Sequence, residues 1–291
     1  MGVAEIASAI YGAWYLDSRA EIVPGRPSDD RPVGESEPSD WQGAGSRDDL
    51  SGVLRASHAG STTYSRGWVV LAVLDGGGCL VGRDREQRVV PIGSYVNLNR
   101  PGIPIAPGEE AAISRLVDRV DYETRWWGTR SELGEPAQPL GRHYLHPCVP
   151  GVAGVVHGIT SLLLDADFPW SLKLPIDPLA WRRPDALVVY AECAQSAQVR
   201  AALAEVASAQ SRFMQPHLPP LTEPIGELIS YAEDPGGDHS FGSHICAALA
   251  PGVLGLASAG AAMADPLAVL ADALAASGVD PTRPWLRSPD A

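Results

Sequence analysis

Residues 168–192 read FPWSLKLPIDPLAWRRPDALVVYAE, and their pattern decides the architecture. Trp170, Leu172 and Leu174 alternate with Ser171 and Lys173, the two-residue period of a half-buried strand. Asp177 and Pro178 then supply an N-cap and a proline at the first helical position, so DPLAWRR reads as a turn of helix. PDALVVYAE is rich in apolar and β-branched residues and reads as a buried strand. SAQVRAALAEVASAQSRF, residues 196–213, follows as a helix. Working outward, GRHYLHP (141–147) reads as a strand and PGVAGVVHGITSLLLDADF (150–168) as a helix opened by Pro150. EPIGELISYAEDPGG (223–237) reads as a strand entering a glycine turn, followed by helices over 240–260 and 265–278. Short strands interleaved with helices, then helices alone, predict an α+β fold: an antiparallel or mixed sheet with helices packed on it.

A β-rich subregion precedes that core. GWVVLAVLD (67–75) and CLVGRD (79–84) flank an Asp-Gly-Gly-Gly turn, a hairpin signal. RVVPIGSYVNLN (88–99) has further strand character, and EAAISRLVDRVDYETRWW (110–127) reads as strand more than helix. Pro24 to Asp49 is rich in Pro, Gly, Ser, Asp and Glu and reads as a loop or linker. The expected organisation is an N-terminal helix over 1–22, a flexible linker over 23–60, a β-rich subdomain over 61–125 and an α+β core over 126–291.

The chain has 291 residues, 45% of them apolar, enough for a sizeable core. Its formal net charge is −13, which argues against nonspecific binding to nucleic acid or an acidic membrane surface. The four cysteines, Cys79, Cys148, Cys193 and Cys246, form no CxxC pair and suggest neither zinc knuckle nor disulfide scaffold. A reducing cytosol fits them. Without a basic n-region, MGVAEIASAIYGAWYLDSRAE reads as a short amphipathic helix, not a signal peptide. Ile245 to Ala264 carries no charge but is mostly Ala and Gly around Pro251, and reads as a buried helix pair, not a membrane span.

Basic charge is carried by 21 arginines and one lysine, Lys173. An amine can lose its proton when desolvated or placed beside other cations; a guanidinium effectively cannot. Set in an apolar segment, Lys173 is a candidate general base, Schiff-base amine or anion ligand, with a plain surface lysine as the alternative. A P-loop is excluded, because the lysine follows Leu172 and not a glycine run. Kinase loops, a GxSxG elbow and an HExxH motif are also absent from the sequence. The titratable residues that remain cluster at strand ends. On a strand, Arg142, Tyr144 and His146 share a face and His143 takes the other. Asp177, Arg182 and Arg183 follow Lys173, and Glu233, Asp234, His239 and His244 surround the glycine turn. Each has a plain structural reading. Together they would supply a base, an acid and phosphate clamps, if one cleft gathers them.

Three of these segments, in order, resemble the HopA-type effector family. In that family an apolar run leads to Lys-Val/Leu-Pro/Leu-x-Asp-Pro, then Arg and Asp-Ala before a strand ending in Tyr. GRHYLHP resembles its Arg-x-Tyr-Trp-His strand, with Arg142, Tyr144 and His146 matching and Leu145 in place of the usual aromatic. YAEDPGGDHSFGSHICAALA matches its Ala-Glu-Asp-Pro-Gly…Ser-Phe-Gly-x-His-Arg segment at Glu233, Asp234, Pro235, Gly236, Ser240, Phe241, Gly242 and His244. Ile245 stands in place of the usual Arg, so the resemblance does not carry over a phosphate contact at that position. The resemblance spans roughly residues 60 to 290.

Some members of that family are effectors injected by plant-pathogenic bacteria. Others stand in actinobacterial clusters for modified ribosomal peptides, the class V lanthipeptides and thioamitides. There they accompany a kinase-like phosphotransferase and remove phosphate from phosphoserine and phosphothreonine of a precursor peptide. The alanine- and arginine-rich composition fits this second, lyase-subunit group. The resemblance therefore implies a cytoplasmic phosphoserine/phosphothreonine lyase that forms dehydroalanine or dehydrobutyrine, with no metal or organic cofactor. Under it Lys173 is the candidate base and His244, then His146, the candidate acid. Arg142, Arg182 and Arg100 would bind phosphate. Tyr144 and Tyr190 would position substrate, with Asp177 and Asp234 at the same site. The alternatives are a non-catalytic subunit that binds the precursor peptide or scaffolds the kinase, and pyridoxal-phosphate chemistry at Lys173.

Overall fold

A computed structural model describes residues 2–16, 49–237, 239–259 and 265–287. The fold is α+β, with two sheets whose strands pair antiparallel throughout. The first sheet holds β1 (Tyr64–Val73), β2 (Cys79–Arg83), β3 (Glu86–Val90), β4 (Tyr95–Asn97) and β5 (Glu110–Ser114), in the order β3-β2-β1-β5-β4. One face buries Trp68, Val70, Val81 and Ile113 in a core of its own.

The second sheet has seven strands: β6 (Val117–Asp121), β7 (Trp126–Arg130), β8 (Leu140–Leu145), β9 (Trp170–Pro175), β10 (Leu187–Glu192), β11 (Glu223–Pro224) and β12 (Ser230–Glu233). Their order is β11-β12-β8-β10-β9-β7-β6. The segment 110–127, read as strand, therefore contributes to both sheets: it contains β5 and β6 and runs into β7. The β-rich subregion ends near residue 115, because β6 pairs with β7.

Alternation along these strands sorts the residues to two faces. Trp127, Leu145, Leu172, Leu174, Leu187 and Val189 face α3 (Val152–Leu163) and α4 (Ser196–Ala209), forming the main core. α2 (Asp49–Ser57) joins that layer through Leu50 and Leu54, both buried. The segment 49–57, expected within a flexible linker, is thus a packed helix. Its apolar positions four apart were masked by the polar run before them. Residues 17–48, which hold the rest of that expected linker and the end of the expected N-terminal helix, lie outside the described residues.

The opposite face carries a second layer: α1 (Val3–Ile10), α5 (Phe241–Ala259) and α6 (Pro266–Ala276). α1 continues as a π-helical turn, Tyr11–Tyr15. Tyr15, Phe241, Ile245, Leu249 and Leu274 pack there against Tyr144, Val188 and Ala232 of the sheet. By length and composition α5 could cross a membrane, but 44% of that stretch is buried in this layer. It runs on through Pro251 as one helix, in keeping with the helix expected over 240–260.

Candidate active site

Register on the α1/α5 face of the seven-stranded sheet brings distant residues into rows. Arg130, Ser171, Tyr190, Arg142 and Ala232 are successive cross-strand partners. Two residues along lies a parallel row of Arg119, Gly128, Lys173, Val188, Tyr144 and Ser230. α1 and α5 roof part of this face. Under their edge is a cleft of about 190 Å³ lined by Lys173, Arg142, Tyr144 and Tyr190 from the sheet. Tyr11 and Tyr15 line it from the N-terminal π turn, and Arg183, Asp185, Trp126 and Ser240 close its sides.

Beside the cleft, over β6, β7 and β9, lies a polar trough of about 560 Å³. Trp126, Lys173 and Tyr190 line both, so the two spaces adjoin. Gly128 lies in the row beside Lys173 and contributes no side chain to fill the trough floor.

The cleft is cationic in a strongly acidic chain: Arg142, Lys173 and Arg183 line it against one lining carboxylate, Asp185. Asp185 orients Arg183 by a bidentate pair, Nε to Oδ1 at 2.8 Å and Nη2 to Oδ2 at 2.9 Å. Arg183 Nη2 also donates to the Tyr11 hydroxyl at 3.2 Å. Arg142 is held from behind by the buried Asp234, whose Oδ2 accepts from Nε at 2.7 Å, while Oδ1 accepts the Gly236 N–H at 2.7 Å. A second donor on Arg142, Nη2, reaches the His239 carbonyl at 3.2 Å. Lys173 Nζ lies 4.5 Å from the Trp126 ring centroid and Arg183 Cζ 5.3 Å from it, so one indole contacts both cations. Burial, then the charges of Arg142 and Arg183, push the Lys173 pKa below its ordinary value, and Asp185 and Asp121 oppose them. Burial also raises the pKa of Tyr11, Tyr144 and Tyr190, which keeps these phenols protonated.

Arg142, Tyr144, Lys173 and Tyr190, proposed from the sequence, thus meet in one cleft, and Asp234 fixes Arg142 without lining it. Four proposed residues lie elsewhere and one serves a helix. Arg182 is exposed; its neighbour Arg183 lines the cleft instead, because the 3-10 turn Pro178–Arg182 ends at Arg182 and the backbone is already extended at Arg183. Arg100 is exposed beyond β4 and paired with Glu109. His146 falls just past the end of β8, so strand parity fails there. Its ring is buried, with Nδ1 3.0 Å from the His217 carbonyl and Nε2 3.0 Å from that of Trp181. His244 lines a separate cavity of about 330 Å³ with Glu233, Phe241 and residues near the C-terminus. Asp177 caps the turn after β9, accepting the Leu179 N–H at 3.0 Å.

Sequence reasoning missed Tyr11, Trp126, Asp185 and Ser240. Only the tertiary fold brings Tyr11 here, across a layer of helices. Asp185 escaped a parity argument because the Ala186 N–H bonds the Arg183 carbonyl, a turn that resets the facing before β10. The arrangement as built can bind an anion and present an amine with weakened affinity for its proton.

Two solved structures are similar to this chain. One is the effector protein from Pseudomonas syringae pv. tomato strain DC3000, 18% identical over 56% of this chain and 63% of that one, with a TM-score of 0.45. The other is the effector protein from Pseudomonas syringae pv. syringae strain 61, 18% identical over 58% of this chain and 66% of that one, with a TM-score of 0.43. The chain thus spans less than two thirds of either effector. No curated protein matches it. Residues 127–286, which carry the sheet floor of the cleft together with Lys173, Arg142, Arg183 and Asp234, match the HopA1 effector protein family, and the chain belongs to that family.

Proposed function

We propose that this chain is a phosphoserine/phosphothreonine lyase, acting on a precursor peptide already phosphorylated by a kinase-like partner and leaving dehydroalanine or dehydrobutyrine in a lanthipeptide-like product. The observation that carries this reading is the pairing of Lys173 with Arg142 and Arg183 in one desolvated cleft. Elimination of phosphate requires a base at the α carbon and positive charge at the departing group. A free lysine is an acid at neutral pH, and the surroundings of Lys173 shift it toward the neutral amine that can act as a base. Arg142 and Arg183 remain charged and oriented by carboxylates. They are suited to a phosphate whose negative charge grows as the Cβ–O bond breaks. Nζ takes the α proton, the released pair forms the Cα=Cβ bond, and phosphate leaves against the guanidinium groups. Tyr144 and Tyr190 stand as walls beside the reacting residue, and the trough admits the peptide on either side of it.

The test is to incubate the isolated chain with a phosphoserine or phosphothreonine peptide. The expected result is one inorganic phosphate released for each dehydro residue formed, the latter trapped by an added thiol. Release of phosphate with regeneration of serine would make it a phosphatase. Binding of the peptide without any release would leave a non-catalytic peptide-binding subunit.

A further inference from the structure

The phosphate that leaves carries charge that a proton would neutralise, and neither His146 nor His244 lines the cleft. Any acid that this cleft supplies therefore comes from another side chain lining it. Tyr11 enters from the helical layer, across the cleft from the sheet that bears Lys173. Its oxygen already accepts from Arg183 Nη2, so its own proton is turned toward an acceptor other than that guanidinium. Ser240 is its other hydroxyl neighbour, and a phosphate oxygen in the cleft would offer the Tyr11 proton an acceptor. Tyr190 is engaged differently, with the Arg142 guanidinium over its ring at 5.5 Å, and Tyr144 is almost fully buried beneath the cleft. Tyr11 also stands in a π turn, a departure from α geometry that is frequent at functional sites. It lies outside residues 127–286, the part of the chain that matches the family.

We propose that Tyr11 is the catalytic proton donor to the departing phosphate, supplied by the N-terminal helix to a site otherwise built on the sheet. The proposal rests on the elimination reading above. As Lys173 Nζ removes the α proton, the C–H pair becomes the Cα=Cβ bond and the Cβ–O pair stays on the phosphate oxygen. Tyr11 O–H gives that oxygen its proton. The phenolate left beside Arg183 is reprotonated from solvent, and Lys173 gives its proton to solvent before the next turnover. The opposite shifts of the two groups suit these roles: the amine is pushed toward its neutral form, and burial holds the phenol protonated.

Tyr11→Phe removes one oxygen and keeps the ring. It is compared with the unaltered chain on two peptides, one carrying phosphoserine and one carrying β-chloroalanine at the same position. Chloride leaves without needing a proton, so only the phosphopeptide requires the acid. The expected result is a fall in kcat of about 10²-fold on the phosphopeptide, with KM little changed, and a fall at least about tenfold smaller on the chloro peptide. Equal losses on both peptides would make Tyr11 merely structural and overturn the proposal, as would an undiminished rate on the phosphopeptide. If the unaltered chain eliminates neither group, the lyase reading fails and takes this one with it. If the unaltered chain eliminates phosphate and the variant matches it, this proposal alone falls.

Discussion

Replacing Gly242 by alanine asks whether the N-terminal helix is a fixed wall of the cleft. A Cβ built at residue 242 would lie 2.3 Å from Cε1 and 2.5 Å from Cζ of Tyr15. Those are distances that packed carbon atoms do not reach. Tyr15 is 1% exposed, and its ring stacks on Tyr11 with centroids 5.4 Å apart. Helix propensity works the other way, since alanine is favoured over glycine by at most about 1 kcal/mol inside a helix, and by less in its first turn. Overpacking costs about 1–3 kcal/mol when the surroundings yield. Undocking the helix instead sacrifices the burial of Tyr15 and Ile6, each worth about 1.5–3 kcal/mol. The clash therefore outweighs the propensity, and the net cost is up to about 2–3 kcal/mol, localised to residues 3–16. Hydrogen exchange followed by mass spectrometry would show faster exchange in residues 3–16 while β10 keeps its protection. Phosphate release would fall with it, because Tyr11 leaves the cleft. In a double-mutant cycle, adding Tyr15→Ala to Gly242→Ala should cost less than the sum of the single changes, since truncating the ring removes the clash. Unaltered exchange in residues 3–16 together with additive single effects would refute this packing account.

Three further outcomes follow from the geometry. Asp234→Asn leaves the buried Arg142 guanidinium without its counter-charge and should destabilise the fold by about 3–5 kcal/mol, read from the urea midpoint. Burial lowers the pKa of both His58 and His143 to about 4 from an unfolded value of 6.5, so between those values the unfolded chain binds more protons. Stability should therefore fall by a few kcal/mol as pH drops from 6.5 toward 4, visible in urea titrations at stepped pH, and His58→Gln should flatten that dependence. Arg183→Ala should weaken phosphopeptide binding by about 10- to 100-fold in a calorimetric titration, whereas Arg182→Ala should change it by less than about twofold.

Much of the architecture could be read from local pattern. Alternation in FPWSLKLP and GRHYL gave two strands and placed Arg142 with Tyr144, and register across β10 then joined both to Lys173 and Tyr190. Asp177-Pro178 marked its helical turn correctly. The failures share a cause: each needed geometry beyond one regular element. His146 lies one residue past its strand, and the choice between Arg182 and Arg183 depends on where a 3-10 turn ends and extended backbone resumes. His244 sits at the start of α5, where it lines a cavity with the C-terminal segment and not the cleft. α2 was hidden at the end of a polar run, and its two buried leucines find their partners about a hundred residues away in α3. Tyr11 reaches the cleft only because α1 packs on α5, a contact between opposite ends of the chain.

The central claim is that the amine of Lys173 removes the α proton. Its most direct test measures dehydro-residue formation from a phosphopeptide by the unaltered chain and by Lys173→Ala and Lys173→Arg, across a range of pH. The account predicts that both variants lose at least about 10²-fold in rate. It also predicts that the unaltered chain's rate climbs with pH through a step lying below the ordinary lysine value, as the amine gives up its proton. Conversion by Lys173→Arg at the unaltered rate would contradict it, because a guanidinium cannot serve as that base.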